Sequence, residues 1–242
     1  MTNANLIENK AQVPKEFNKV SAMYDFATYL SQGYQEDLDN SASWLMLKGN
    51  ERVLDVCCGT GKSTAACLKH ITTGSIIGVD NSEGMLKEAN KKFATEIEAG
   101  KVNFELQDAM HLDFEAESFD AIFMAYGLRN MPDYEKSLEL LYKLLKPGGR
   151  LCIHDYSLAN KGWAKAYWGV LSYGFIVPFC SILSRSTKIY TYLAKSVLTF
   201  LTPPEVEAKM KNAGFQNIQV KAHKSWRSPI LHAFIGEKIS KN

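Results

Sequence analysis

Three aspartates that follow successive apolar segments, together with one glycine turn, could bind a cofactor that carries a ribose. Asp55 comes before the turn Cys-Cys-Gly59-Thr60-Gly61, and Asp80 ends the next apolar segment. Without a Cβ, the glycines let the backbone approach a ligand closely. The carboxylate of Asp80 can accept hydrogen bonds from both ribose hydroxyls. After the third segment, Asp108 and the N–H of Ala109 can face the edge of an adenine.

Two cofactors fit such a turn, and the residues around it favour one of them. The dinucleotide fingerprint G-x-G-x-x-G requires a third glycine, but position 64 is Thr. Asp55 would also repel a pyrophosphate, whereas it suits the positive charges of S-adenosyl-L-methionine. We therefore expect S-adenosyl-L-methionine, with S-adenosyl-L-homocysteine as the product. An NAD-dependent dehydrogenase is the alternative.

The segments that position these residues alternate between strands and helices. Short apolar runs predict strands over residues 52–56, 75–80, 102–107, 119–126 and 150–155. The stretches between them predict helices over residues 62–71, 82–98 and 134–145. Strands that alternate with crossover helices form a parallel, doubly wound α/β sheet. Ligands bind at the carboxyl ends of its strands, so the three aspartates are expected at one edge.

The remaining segments complete the predicted domain organisation. Residues 1–47 form an N-terminal extension with two or three short helices from residue 14 onward, and residues 48–242 form one domain with an aromatic insertion over 159–200. A helix over 203–213 ends at Gly214. Strands over 216–222 and 231–237 follow, with too short a gap between them for a crossover helix. This last pair should therefore be antiparallel.

Composition excludes several classes of protein. The chain has 242 residues, and its 28 Lys and Arg against 26 Asp and Glu give a net charge of +2, which does not favour nucleic-acid binding. The five cysteines form no C-x-x-C pair, so we expect neither a metal site nor a disulfide framework. Free thiols and a polar N-terminus without a signal peptide indicate the cytoplasm.

Several stretches resemble the UbiE/COQ5/MenG family of class I S-adenosylmethionine-dependent methyltransferases. The stretch Tyr-Gly-Leu-Arg-Asn-Met-Pro-Asp at 126–133 resembles the family signature F-G-L-R-N-V-x-D. Residues 17–25, 80–86 and 192–196 are similar to other family motifs, and 145–150 to a general methyltransferase motif. The resemblance implies a Rossmann-like, seven-stranded sheet with an antiparallel final hairpin. It also implies C-methylation of a prenylated quinol in ubiquinone- or menaquinone-type biosynthesis, or of a similar aromatic.

The resemblance also implies roles for single residues. Arg129 would hold a phenolate or a polarised water, Asn130 would position a ring oxygen, and His154 could be the base. Cofactor contacts are implied at the motif positions Tyr24, Thr60, Asn81, Met85 and Ala125.

Three departures from the family pattern stand out. At the first turn, where the family has G-G-T-G-D, Cys58 replaces the first glycine and Lys62 the aspartate. Ala125 stands where a serine often precedes the signature. The fifth strand ends in His154-Asp155, whereas the family has Leu or Val followed by Glu. A methyltransferase or other S-adenosylmethionine-dependent transferase for a different small molecule, and a non-catalytic cofactor-binding module, are therefore the alternative functions.

The insertion contains a 19-residue stretch, 166–184, without a charged residue. We reject a membrane span, because crossing would separate the last helix and two strands from their sheet. A lid over an apolar acceptor that dips into the membrane interface at the inner face fits the composition better. A homodimer surface and ordinary core are the alternatives.

Overall fold

The computed structural model describes residues 33–159, 162–184 and 187–240. Most of the N-terminal extension lies outside the described residues, including Tyr24 and the motif at 17–25. Of the helices predicted there, the described part contains one, α1, over Tyr34–Ser43. The domain boundary at residue 47 stays a prediction.

A seven-stranded sheet forms the centre of the molecule. Its strands are β1 Arg52–Val56, β2 Ser75–Asp80, β3 Val102–Leu106, β4 Phe119–Ala125, β5 Leu145–Tyr156, β6 Gln216–Ala222 and β7 Leu231–Glu237. Their order in space is β3-β2-β1-β4-β5-β7-β6. The first five strands are parallel, and β7 pairs antiparallel with both β5 and β6. The sequence prediction of a parallel sheet that ends in an antiparallel hairpin is confirmed.

Helices cover both faces of this sheet and also form the insertion after β5. They are α2 Lys62–Leu68, α3 Glu83–Lys92, α4 Ala94–Glu98, α5 Tyr134–Leu144, α6 Trp163–Leu171, α7 Val177–Ser184, α8 Thr187–Thr199 and α9 Pro203–Asn212. Successive strand residues point to opposite faces. Leu54 accordingly packs with α5 and α9, whereas Val53 packs with α1 and α2.

Three predicted elements differ from the structure by an interruption or by more than one residue at an end. The helix predicted over 62–71 ends at Leu68, and the helix predicted over 82–98 is interrupted at Phe93, whose ring is buried against Gly61 and Phe104. The fifth strand begins at Leu145 and not at residue 150, because Leu145 is extended and pairs with Phe119. The helix before it therefore ends before the Pro-Gly-Gly sequence.

The aromatic insertion is helical. Helices α6 and α7 are joined by a π-helical turn over Ser172–Ile176, and α8 follows. Trp168 of α6 is 1% exposed, and its Nε1 donates to the backbone oxygen of Ala194 in α8 at 3.0 Å. Among the described helices, none is both long and apolar enough to cross a membrane.

Candidate functional site

A cleft lies at the carboxyl ends of β1, β2 and β4, where the sequence predicted a ligand site. The loops after these strands line it together with α1. We use the word cleft for the space between these lining residues. Its predicted members are Gly59, Thr60, Asp80, Asn81, Met85, Ala109, Ala125, Arg129 and Asn130. Its other members are Tyr34, Leu38, Cys57, Cys58, Lys62, Ser63, Val79, Ser82, Gln107, Tyr126 and Met131.

The carboxylate of Asp80 organises the turn between β1 and α2. Its Oδ2 accepts from the backbone N–H of Gly59 at 2.9 Å, and its Oδ1 accepts from that of Ser82 at 2.9 Å. Burial raises the pKa of Asp80 to about 6. Each carboxylate oxygen has a further lone pair, so the group can also accept hydroxyl donors from a ligand in the cleft.

The two glycines of the turn lack a side chain for different structural reasons. A Cβ on Gly59 would meet nothing within 4 Å, so a side chain there would enter the open space of the cleft. A Cβ on Gly61, whose φ is +84°, would lie 2.5 Å from Cε2 of Phe93. Gly61 does not line the cleft, and its absent side chain leaves room for the Phe93 ring rather than for a ligand.

Asp55 lies outside the cleft, in the fully buried end of β1. Its Oδ2 accepts from the hydroxyls of Ser63 and Thr64 at 2.7 and 2.6 Å, so both residues tie α2 to the strand. Its Oδ1 is buried and makes no hydrogen bond with the described residues. Burial raises the pKa of Asp55 to about 7, against the lowering effect of the two hydroxyls. The carboxylate could therefore act on a cleft ligand through Ser63, which lines the cleft.

Asp108 also lies outside the cleft, although its neighbour Ala109 lines it. The Oδ1 atom of Asp108 accepts from the backbone N–H of Met110 at 2.9 Å, and the side chain is 54% exposed beside His111. In this turn Ala109 lines the cleft and the Asp108 carboxylate does not. A role for Asp108 at an adenine edge stays a prediction.

Arg129 lines the cleft in a 3₁₀ turn after β4 and is paired with Asp155. Its Nη1 donates to Asp155 Oδ1 at 2.5 Å and to the backbone oxygen of Tyr126 at 3.0 Å. Burial opposes the guanidinium charge, but the Asp155 carboxylate outweighs burial and raises the pKa of Arg129. The guanidinium also lies over the rings of Tyr126 and Tyr156. Arg129 therefore presents a fixed, partly neutralised positive charge at the cleft.

Asn130 joins the cleft to the helical insertion. Its Nδ2 donates to the backbone oxygen of Tyr126, and its Oδ1 accepts from the hydroxyl of Tyr192 in α8, both at 3.0 Å. Burial raises the pKa of Tyr192 to about 12, so this hydroxyl is a donor at neutral pH. The sequence placed Tyr192 in a family motif but assigned it no role.

His154 is fully buried and does not line the cleft. Its Nε2 is 2.9 Å from the hydroxyl of Tyr126, and its Nδ1 is 2.8 Å from Oγ of Ser41. Burial, with His223 and two arginines nearby, lowers the pKa of His154 well below its usual value. Any effect of His154 on a ligand must therefore pass through Tyr126.

Sequence reasoning missed Tyr34 and the strained backbone of two positions in this region. Tyr34 of α1 stacks on Tyr126 with ring centroids 5.4 Å apart. Cys57 and Tyr126, at the ends of β1 and β4, have φ values of 60° and 55°, a left-handed conformation that residues with a side chain rarely adopt. Strained residues are common at functional sites, but no residue pattern predicts where they occur.

Three comparisons bear on this geometry. The family model of the ubiE/COQ5 methyltransferase family matches residues 5–233. A demethylmenaquinone methyltransferase from Staphylococcus aureus is 32% identical over 218 residues, which cover 88% of this chain and 89% of that protein. The residues matched by the family model include the predicted cofactor turn and the signature at 126–133.

Two solved structures share the fold. The cyclase SpnF covers 95% of this chain and 96% of its own, with a TM-score of 0.72 and 16% identity. An S-adenosylmethionine-dependent methyltransferase from Thermotoga maritima covers 93% of this chain and 99% of its own, with a TM-score of 0.66 and 20% identity. At these identities the likeness describes the fold alone.

Proposed function

Because the chain belongs to the ubiE/COQ5 methyltransferase family, it is an S-adenosyl-L-methionine-dependent methyltransferase, and we propose that it methylates a ring carbon of a prenylated quinol. The name of the Staphylococcus aureus relative supports a demethylated menaquinol as the acceptor. An acceptor of this class has a polar, hydroxyl-bearing ring and a long apolar tail. It therefore needs a polar cleft beside an apolar surface.

The junction between cleft and insertion carries this proposal. The hydrogen bond from Tyr192 to Asn130 connects α8 to the cleft. Helices α6 and α7 and the π-helical turn between them expose Trp163, Phe175 and Phe179, which are 57%, 66% and 57% exposed. A ring held beside Asn130 could thus have its tail along an apolar helical surface.

The residues of the cleft fit the cofactor. The cofactor supplies a methyl group on a positively charged sulfur. Asp80 would accept the ribose hydroxyls, and the bare backbone of Gly59 would leave room for the ligand. Thr60, Asn81, Met85, Ala109 and Ala125 line the same cleft and would complete the binding site. Asp55 and Gly61 would act from behind it, by holding α2 and the turn.

We propose that Arg129 and Asn130 act on the acceptor. A ring carbon becomes nucleophilic when a hydroxyl on the ring loses its proton, and the fixed charge of Arg129 would stabilise the resulting phenolate. Asn130 would orient the ring oxygen, since its amide is itself held by Tyr126 and Tyr192. His154 would act indirectly, through its hydrogen bond with Tyr126. The remaining work is to hold the two reactants together and exclude water.

The test is an assay of methyl transfer with purified protein. Reduced demethylmenaquinone, its benzoquinol counterpart and a catechol without a tail are each incubated with S-adenosyl-L-methionine, and products are identified by mass spectrometry. We expect one added methyl group on a ring carbon of the prenylated acceptors and little product from the catechol. Turnover of the catechol alone, or methylation at oxygen, would contradict the proposal.

We further propose a cytoplasmic protein that contacts the inner face of the membrane through the exposed side of α6 and α7. A prenylated acceptor resides in the bilayer, so a protein that binds it gains by contact with the interface. Aromatic side chains such as Trp163 suit this region, where an apolar ring meets water. Burial of the same surface in a homodimer is the alternative.

A further inference from the structure

Hydrogen bonds join four side chains in a continuous line from the cleft, and the last of them, His223, lies at ion-pair distance from a buried carboxylate, that of Asp37. The distances are 2.9 Å from Tyr126 Oη to His154 Nε2, 2.8 Å from His154 Nδ1 to Ser41 Oγ, 3.1 Å from Ser41 Oγ to His223 Nε2, and 3.2 Å from His223 Nδ1 to Asp37 Oδ1. We call this line the relay. It begins at Tyr126, which lines the cleft, and its other four members are buried.

The carboxylate at the inner end fixes the direction of every hydrogen bond. As a carboxylate Asp37 can only accept; its Oδ1 faces Nδ1 of His223, and Arg227 lies 3.1 Å from its Oδ2. His223 must therefore donate from Nδ1, which leaves Nε2 of the neutral ring to accept from the Ser41 hydroxyl. That hydroxyl then accepts from Nδ1 of His154. The Nε2 atom of His154 is left as an acceptor, and Tyr126 donates to it.

Groups from several elements face His223. Asp37 of α1 and Arg227 of the 3₁₀ turn over Ser225–Arg227 carry opposite charges, and His154 of β5 lies with its ring centroid 4.7 Å away. The ring of Trp44 lies at 5.3 Å, and His232 of β7 also interacts with His223 electrostatically. The Asp37 carboxylate faces His223 directly, with its Oδ1 3.2 Å from Nδ1.

We propose that Tyr126 takes the proton of the acceptor hydroxyl and that the relay passes a proton to His223. This inference rests on the proposed function, because it requires an acceptor with a ring hydroxyl. Tyr126 is then a catalytic residue, and His154, Ser41, His223 and Asp37 are positioning residues. The sequence also differs from the family motifs at both Tyr126 and His154. The motifs have Phe at the position of Tyr126 and Leu or Val at the position of His154.

The step balances in protons and electrons. The acceptor O–H bond breaks, and its proton binds Tyr126 while the Tyr126 proton moves to His154 Nε2. The proton on His154 Nδ1 moves to Ser41, and the Ser41 proton moves to His223. The electron pair left on the acceptor oxygen shifts through the ring, and the ring carbon bonds the methyl group, whose former bonding pair stays on sulfur. The C–H proton of that carbon then returns to the oxygen, so the proton on His223 is the one the reaction releases.

The first test measures the ring tautomers by ¹⁵N nuclear magnetic resonance in the full chain without ligand. At pH 8 we expect both His154 and His223 to be neutral and protonated at Nδ1. As the pH falls and His223 gains a proton, His154 should switch to the Nε2 tautomer, and Ser41→Ala should abolish this switch. A His154 ring that is protonated at Nε2 at pH 8, or a switch that survives Ser41→Ala, would overturn the relay.

The second test compares turnover of Tyr126→Phe and Ser41→Ala with that of Tyr156→Phe, which removes a hydroxyl from a ring packed beside Tyr126 but outside the relay. At pH 7 we expect kcat to fall about 10²-fold for Tyr126→Phe and about tenfold for Ser41→Ala, which is the scale of general-base catalysis. Cofactor affinity should stay within about threefold in all three variants, and Tyr156→Phe should keep its kcat within the same range.

The pH dependence separates a proton-transfer role from a structural one. At about pH 10, the ordinary pKa of a phenol, roughly half of the acceptor is ionised without a base, so the deficits of Tyr126→Phe and Ser41→Ala should shrink to about threefold or less. Deficits of equal size at every pH, or none at pH 7, would overturn the inference. If the unmodified protein methylates no quinol, the proposed function fails instead, and the tautomers still decide whether the relay exists.

Discussion

The guanidinium of Arg129 forms an ion pair with Asp155. Because of this pairing, removal of the guanidinium should affect stability as well as turnover. From the sequence, Arg129 was predicted to act on the acceptor alone. The structure places it in a buried ion pair that also holds the turn after β4 through the backbone of Tyr126. A buried pair of this kind loses far more stability when one partner is removed than when both are replaced.

Removing the guanidinium should therefore lower both stability and turnover. We expect Arg129→Ala to lower the free energy of unfolding by about 3–5 kcal/mol, because it leaves the Asp155 charge buried and unpaired. Turnover should fall by roughly 10²–10³, the scale of losing one donor to an oxyanion. Denaturant unfolding and kinetics on the same preparation measure both effects.

The matched variants separate the two roles. Adding Asp155→Asn to Arg129→Ala removes the unpaired charge and should restore part of the stability without restoring turnover. Arg129→Lys keeps a charge but not the planar fork, so it should recover part of each. Turnover that returns with stability in the double variant would show that Arg129 only supports the fold.

Cofactor binding should depend on pH through Asp80. Its carboxylate accepts both ribose hydroxyls best when ionised, because a proton would occupy one of its remaining lone pairs, and its pKa is raised to about 6. Affinity for S-adenosyl-L-methionine should thus be full above pH 7 and fall by up to about tenfold per pH unit below 6. Titration calorimetry between about pH 5 and 8 measures the dependence.

Two variants provide the controls for this prediction. Asp80→Ala should weaken binding by roughly 2–4 kcal/mol at neutral pH, and Asp80→Asn should bind weakly with little dependence on pH. Asp120→Asn changes a partly exposed aspartate paired with Lys146 outside the cleft and should bind as the unmodified protein does. A steep acid dependence that survives in Asp80→Asn would assign the titration to another group.

At the scale of elements, the strands were predictable and the breaks between helices were not. The bounds of β1, β2, β6 and β7 match the prediction residue for residue, because short apolar runs bounded by turns mark strands clearly. The interruption at Phe93 depends on the ring's fit against Gly61, a contact between distant residues. Local patterns carry no information about such contacts. For the same reason, the sequence predicted that Asp55 and Asp108 lie at this edge of the sheet. It did not predict that both side chains lie outside the cleft.

The contact between α8 and the cleft should affect acceptor use more than cofactor binding. Tyr192→Phe removes the hydroxyl that donates to Asn130, which costs about 1 kcal/mol for one hydrogen bond. We expect kcat/KM for the quinol to fall about fivefold while cofactor affinity is unchanged. Tyr173→Phe, at an exposed position of the same insertion, is the matched control. Equal losses in both variants would contradict a specific role for the contact.

For the whole molecule, the exposed apolar side of the insertion predicts membrane contact. We expect the protein to float with anionic lipid vesicles and to be released by a carbonate wash, as a protein bound only at the interface would be. Trp163→Ser combined with Phe179→Ser should lower vesicle binding at least about tenfold, since two exposed aromatic side chains no longer enter the interface.

A size measurement distinguishes the alternative use of this surface. If the surface forms a homodimer, the same double variant should convert dimer to monomer in sedimentation experiments without a change in vesicle binding. If the unmodified protein is recovered only in the membrane fraction and a carbonate wash does not release it, its membrane contact is not merely interfacial. Methylation of a short-tailed quinol in detergent-free solution should be unaffected by the double variant, because it leaves the cleft unchanged.

Mass spectrometry of a cell's quinone pool tests the central claim most directly. A host that lacks its own quinol C-methyltransferase accumulates the demethylated quinone, and expression of this chain should shift that species by the mass of one methyl group. Fragmentation should place the added methyl on the ring carbon, and Asp80→Ala at equal abundance should not produce the shift. An unchanged quinone pool in cells that contain the folded, cofactor-binding protein would contradict the assignment of a prenylated quinol as its acceptor.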